Sequence, residues 1–63
     1  MELLNTDPIV RTVAVIPAYN EAETIGPVVD DTAEYVDRVV VVDDGSSDDT
    51  AAIARDHGAV VVE

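Results

Sequence analysis

The 63-residue sequence contains no cysteine, lysine, tryptophan or phenylalanine, and its only cations besides one histidine are Arg11, Arg38 and Arg55. Without cysteine, disulfide stapling and thiolate metal centres are excluded. Three cations against 14 acids, a net charge of −11, provide no electrostatic footprint for a phosphate backbone or an anionic lipid surface. Nucleic acid is therefore not an expected partner. The strongest apolar runs, Val13 to Ile16, Val39 to Val42 and Ala59 to Val62, are far too short to span a bilayer. The opening Met1-Glu2-Leu3-Leu4-Asn5 has neither a basic stretch nor a long apolar one, so no secretion signal is read there and a cytoplasmic location is expected.

Apolar surface, in contrast, is plentiful. The chain is 48% hydrophobic and rich in valine, which argues against intrinsic disorder. Its length permits one small domain, and such a domain buries only ~60% of the surface its unfolded chain exposes. An acidic chain without lysine suits a cytosol of very high salt, where the Debye length shrinks to ~3 Å at 1 M and self-repulsion is screened. That halophilic expectation concerns habitat and solubility, not activity.

Residues 1–11 show no clear period and include the turn signal Asp7-Pro8, so they are expected to form a loose leader. From Thr12 to Pro17 the run is apolar without polar alternation, as in a parallel strand covered on both faces. Ile25, Val28, Val29, Thr32 and Val36 then recur on one helical face, with Asp30, Asp31 and Glu34 opposite. Pro27 is compatible with this helix if it starts near Thr24, because first-turn N–H groups have no helical partner. Glu21 and Glu23 would then lie by the positive end of its dipole, and Tyr35 would be a helix residue packing near the sheet edge. Asp37 to Asp43 predicts a second strand, residues Thr50 to Arg55 a short helix stopped by Gly58, and Ala59 to Val62 a third strand. Strand, helix, strand, helix, strand implies a parallel sheet with right-handed crossovers. Three such strands make an incomplete α/β domain, the N-terminal β-α-β-α-β part of something larger.

Ligands of open α/β sheets bind outside the carboxyl ends of the strands. Two polar segments emerge there, Pro17-Ala18-Tyr19-Asn20-Glu21 and Asp43-Asp44-Gly45-Ser46-Ser47. They are expected to lie side by side. Neither is a Gly-x-Gly-x-x-Gly fingerprint nor a lysine-bearing phosphate loop. A carboxylate there can accept hydrogen bonds from a base edge or a ribose hydroxyl, but would repel a diphosphate unless a divalent cation intervened.

Val13-Ala14-Val15-Ile16-Pro17-Ala18-Tyr19-Asn20-Glu21, followed by Val39 to Val42 and Asp43-Asp44-Gly45-Ser46-Ser47-Asp48-Asp49-Thr50, resembles the N-terminus of family 2 glycosyltransferases. Ile16 to Glu21 is most similar to the branch that makes polyprenyl-phosphate sugars, including the dolichol-phosphate mannose and glucose synthases. The resemblance covers residues 12–63 and implies a GT-A (Rossmann-like) nucleotide-sugar-binding domain. It also implies a nucleotide-diphosphate sugar as donor and a polyprenyl (dolichyl) phosphate as acceptor, met at the cytoplasmic face of the membrane.

By the same resemblance Pro17, Ala18, Tyr19 and Glu21 wrap the nucleoside, and Asp44 accepts from the base. Asp43 fixes the loop, and Asn20 and Gly45 support it. Tyr19, Asn20 and Glu21 equally suit purely structural places, packing the sheet end or opening the helix. A divalent metal, Mg or Mn, is implied, but the Asp-x-Asp motif that binds it in the family falls after a fourth strand. Neither its ligands nor a catalytic residue is therefore expected in this chain, which alone should be inactive.

Competing possibilities are a glucosyl-3-phosphoglycerate synthase-like enzyme and an inactive truncated nucleotide-binding stub. An acidic-pocket phosphotransfer receiver fits less well, because its acids would end the first strand, where Pro17-Ala18-Tyr19 stands. Ser46, Ser47 and Asp48 are expected to be capping residues. His57, before Gly58, is expected to interact with a helix C-terminus rather than to act in catalysis.

Overall fold

The computed structural model describes residues 11–63. Its elements are β1 (Val13–Ala18), α1 (Ile25–Ala33), β2 (Arg38–Asp43), α2 (Thr50–Asp56) and β3 (Val60–Val62). The strands form one parallel sheet in the order β1-β2-β3. Its register pairs Val13 with Arg38 through to Ala18 with Asp43, and Val40 with Val60 through to Val42 with Val62. Because β1 and β2 end in register, the polar segments that follow them leave the sheet at the same level. Of the expected leader only Arg11 falls among the described residues. Its backbone N–H, with that of Thr12, donates to Asp37 Oδ2 at 2.8 and 3.0 Å, tying the start of β1 to the start of β2.

α1 and α2 touch each other and both pack on β2. Parallel strands added in one direction through right-handed crossovers put successive helices on the same face. On that face Ile25, Val29, Val39, Val41 and Ala54 are all but inaccessible, with Ile16, Val36, Ile53 and Val61 packed around them. Each fully buried large side chain contributes about 1.5–3 kcal/mol relative to exposure. The opposite face differs from the expectation of strands covered on both sides. Val13, Val15, Val42, Val60 and Val62 are exposed there, Val15 at 63%. The continuous valine runs suit two covered faces, and the described residues supply the cover for one.

Pro27 is the third residue of α1, where no helical N–H is needed. No acid lies in the first turn; Glu21 serves the helix through its backbone carbonyl, which accepts the N–H groups of Thr24 and Ile25 at 3.0 and 2.8 Å. The helix ends at Ala33, earlier than the periodicity through Val36 suggests, in tight turns from Glu34 N–H to Asp31 and from Tyr35 N–H to Thr32. Tyr35 consequently lies outside the helix and is 83% exposed, not packed at the sheet edge. α2 ends as expected at Gly58. With φ at +95°, Gly58 donates to Arg55 while Ala59 donates to Ala54, the paired bonds of a glycine-terminated helix.

His57 stands at the C-cap of α2, the helix C-terminus expected for it, and its side chain makes a further contact. Its Nδ1 lies 2.9 Å from Asp30 Oδ1 on α1, and its ring covers Gly26, where an added Cβ would meet Nε2 at 2.7 Å. Gly26→Ala is expected to displace the ring and break this exposed pair, a loss of up to about 1 kcal/mol that cancels much of alanine's helix preference. In a His57→Ala background the same change should stabilise by up to about 1 kcal/mol. A double-mutant cycle by urea unfolding measures the coupling, and equal effects in both backgrounds would contradict the contact.

Candidate functional site

The segments after β1 and β2 are stitched together by their own polar groups. Asp44 N–H donates to the carbonyl of Ala18 at 2.9 Å, extending the ladder one step beyond the sheet. Three consecutive backbone donors of the first segment are then taken by side chains of the second. Asn20 N–H donates to Ser46 Oγ at 2.8 Å, Glu21 N–H to Thr50 Oγ1 at 2.8 Å and Ala22 N–H to Asp48 Oδ2 at 3.2 Å. In the reverse direction Ser47 N–H donates to Asn20 Oδ1 at 2.8 Å. Asn20 reaches this position with φ at +51°, in the left-handed region that asparagine tolerates better than most residues.

Two acids hold the accepting hydroxyls. Asp43, 5% exposed, takes both the N–H and the hydroxyl of Ser46 on Oδ1. Asp48 takes the N–H and hydroxyl of Thr50 on Oδ1, the N–H at 3.0 Å. Each hydroxyl therefore donates to an acid and accepts from the neighbouring segment, using both of its hydrogen-bonding roles. Gly45 closes the turn between these acids with φ at +77°, a conformation glycine adopts without steric cost. Although Asp49 is the residue before α2, the α2 amide at Thr50 is bonded by Asp48.

The hydrogen bond from the Thr50 hydroxyl, followed by the Ala22 and Thr50 amides, holds the Asp48 carboxyl below the usual carboxylate range against a smaller desolvation effect. Asp37 is likewise lowered, first by the Arg11 amide and then by that of Thr12. Both folded pKa values are depressed, so each group adds stability above its unfolded pKa of about 3.9 that is lost as pH falls through the folded value. Acid titration followed by circular dichroism should show stability declining below about pH 4, and the Asp37→Asn/Asp48→Asn double variant should decline less steeply there. An unchanged slope would contradict these two carboxylates as acid-sensitive ties.

The residues singled out from sequence thus fall into two groups. Pro17, Tyr19, Glu21, Asp44 and Gly45 are exposed at the carboxyl edge, Tyr19 at 59%. Ala18 and Asp43 are buried, Ala18 offering the edge its carbonyl and Asp43 binding the turn. Asn20 bridges the two segments. Thr50, wholly buried, and Asp48 link the segments although local sequence gives no sign of it. The pairs lie 26 to 29 positions apart, so only the in-register strand ends could have signalled the contact.

The arrangement has a chemical consequence. With the amides of residues 20–22 engaged, these three N–H groups are not free to bind an anion, and the exposed groups of the edge include the Asp44 and Glu21 carboxylates as acceptors. They suit N–H and O–H donors. Among the described residues no three acidic or histidine side chains are grouped to hold a metal ion.

Comparison with known proteins bears directly on this edge. The family model of glycosyl transferase family 2 matches residues 13–62. The chain is 39% identical over 59 residues to the dolichyl-phosphate beta-glucosyltransferase ALG5C of Trichomonas vaginalis, covering 76% of this chain and 18% of that protein. It is 51% identical over 47 residues to the glycosyltransferase AglJ of Haloferax volcanii, covering 73% of this chain and 16% of that protein. Among solved structures, glucosyl-3-phosphoglycerate synthase from Mycobacterium tuberculosis, in complex with Mn2+, UDP-glucose and phosphoglyceric acid, superposes with a TM-score of 0.72. Identity there is 44%, over 82% of this chain and 20% of that one. The chain thus spans less than a fifth of the two curated relatives' length and has the fold of the start of a GT-A domain. An α/β edge of two interlocked segments, matched by the family model over both, shows that the chain belongs to glycosyl transferase family 2.

Proposed function

We propose that the carboxyl edge formed by Pro17–Glu21 and Asp43–Gly45 is the nucleoside-binding part of a glycosyltransferase that takes its sugar from a nucleotide-diphosphate donor. The observation that carries this reading is the joining of two polar segments into one edge at the ends of adjacent parallel strands. Asp44 is exposed, its backbone is fixed by Ala18, and its carboxylate accepts the ring N–H of the base. Tyr19 lines the base, with Pro17 and Glu21 beside it, while Asn20, Asp43 and Gly45 keep the edge in shape. Catalytic groups and metal ligands belong to polypeptide other than the described residues. Mg or Mn, when bound in the whole protein, supplies positive charge to the leaving diphosphate.

For the acceptor, the likeness to a dolichyl-phosphate beta-glucosyltransferase favours a polyprenyl phosphate; its meeting place with the donor is then the cytoplasmic face of a membrane. No helix among the described residues is long and apolar enough to cross one. A lipid phosphate is already an anionic nucleophile and needs less help from a general base than a hydroxyl does. A second reading, with phosphoglycerate as acceptor, is favoured by the likeness to the synthase from M. tuberculosis. Assay of the whole protein with UDP- and GDP-sugars, Mg2+ or Mn2+, and either dolichyl phosphate or 3-phosphoglycerate distinguishes the two. Product from dolichyl phosphate alone is expected, product from phosphoglycerate alone would replace the lipid reading, and no binding of either nucleotide would overturn the donor reading.

A further inference from the structure

We infer that Thr50 and Asp48 are positioning residues for nucleotide binding, acting across the edge on the backbone of the Tyr19–Glu21 segment; this inference rests on the donor reading above. Neither side chain needs to touch the ligand. Thr50 is fully buried, its hydroxyl accepting from Glu21 N–H at 2.8 Å while donating to Asp48 Oδ1. Asp48 divides its carboxylate, with Oδ1 on Thr50 and Oδ2 on Ala22 N–H at 3.2 Å. Together they fix two successive peptide units that carry the Glu21 side chain and follow Tyr19. The adjoining Asn20 unit is fixed through Ser46, and Ala18 through Asp44. The first segment therefore has no independent position: its geometry is copied from the second, which also carries Asp44.

Buried hydroxyls require partners, so the isosteric change Thr50→Val should release Glu21 N–H and leave one Asp48 oxygen without its hydroxyl donor while preserving the packed volume. Thr50→Ser keeps the hydroxyl and loses only a methyl group. In the protein, Thr50→Val is expected to raise the Kd for UDP roughly tenfold, and Thr50→Ser to stay within about threefold of the parent. Amide exchange should accelerate at Glu21 and Ala22 in Thr50→Val and in Asp48→Asn, with the strand amides unchanged. Val29→Ala, which lowers stability in the core, serves as the control for a purely structural role and should alter neither the local exchange nor the affinity of the folded fraction.

Parent-like UDP affinity in Thr50→Val, with parent binding intact, would overturn the inference and leave the donor reading standing. A parent protein that binds neither UDP nor GDP would overturn both. Accelerated exchange at Glu21 and Ala22 together with weakened UDP binding, both restored in Thr50→Ser, would establish it.

Discussion

Asp44→Ala is expected to weaken binding of UDP by about 10- to 150-fold without disturbing the fold. A hydrogen bond to a charged partner contributes about 1.5–3 kcal/mol, and each 1.4 kcal/mol is tenfold in affinity. The site permits a clean experiment, because Asp44 is exposed and its tie to the sheet runs through its backbone N–H to the Ala18 carbonyl. That tie survives truncation of the side chain. Asp44→Asn keeps a carbonyl acceptor but loses the charge, and should fall between parent and alanine. The neighbouring Asp43 offers no such test: it is buried and binds Ser46, so Asp43→Ala would loosen the turn that carries Asp44. Calorimetric titration with UDP checks the series. Equal affinities for parent and Asp44→Ala would remove the base-accepting role from this carboxylate.

Ile25→Ala is expected to have the largest effect on stability. Ile25 is 1% exposed and sits in the core with Val29, Val41 and Ala54. Truncating a buried isoleucine costs about 2–5 kcal/mol. At ~0.05–0.15 kcal/mol per residue a chain of this size has only about 3–9 kcal/mol in all, so the variant should lose roughly half of its stability. Val15→Ala provides the contrast, since Val15 is 63% exposed on the open face, and should change stability by no more than about 0.5 kcal/mol. Far-UV circular dichroism against urea measures both. Comparable losses in the two variants would mean that the covered and open faces have been exchanged.

These two expectations draw on different parts of what the sequence makes legible. The helices and strands follow from local pattern: unbroken apolar runs at Val13–Ile16 and Val39–Val42, the 3.6-residue spacing from Ile25, and Gly58 as a stop. Parallel alternation places the polar ends of β1 and β2 together, so the candidate edge is legible in the sequence itself. The end of α1 was less legible, because Val36 keeps the periodicity although it packs from beyond the helix. For that reason the spacing puts Tyr35 in the helix, whereas it lies beyond the helix end. His57 looked like a helix terminator's neighbour; its contact with Asp30 and Gly26 depends on how closely two helices approach, which spacing within either helix does not encode.

The cross-segment bonds show the same limit more sharply. Serine, threonine and aspartate beside a turn suggest local caps, and Asp48 does bond the amide of Thr50. Their second set of partners, the amides of residues 20–22, lies on a different strand end and becomes visible only when β1 and β2 are aligned. The open sheet face is a further case. Continuous apolar runs in β1, β2 and β3 speak of two covered faces, and the relatives are some six times as long as the part matched here.

The most direct measurement is a two-dimensional amide NMR titration of the protein with UDP in the presence of Mg2+. Chemical-shift changes are expected at Tyr19, Asn20, Glu21, Asp44 and Gly45, with smaller ones relayed to Thr50, and none at Val13, Val15 or Val62 on the open face. Saturable shifts confined to those edge residues would support nucleoside binding there. Shifts mapping instead to Val13, Val15 and Val62 on the open face, or no shifts at millimolar UDP, would contradict it.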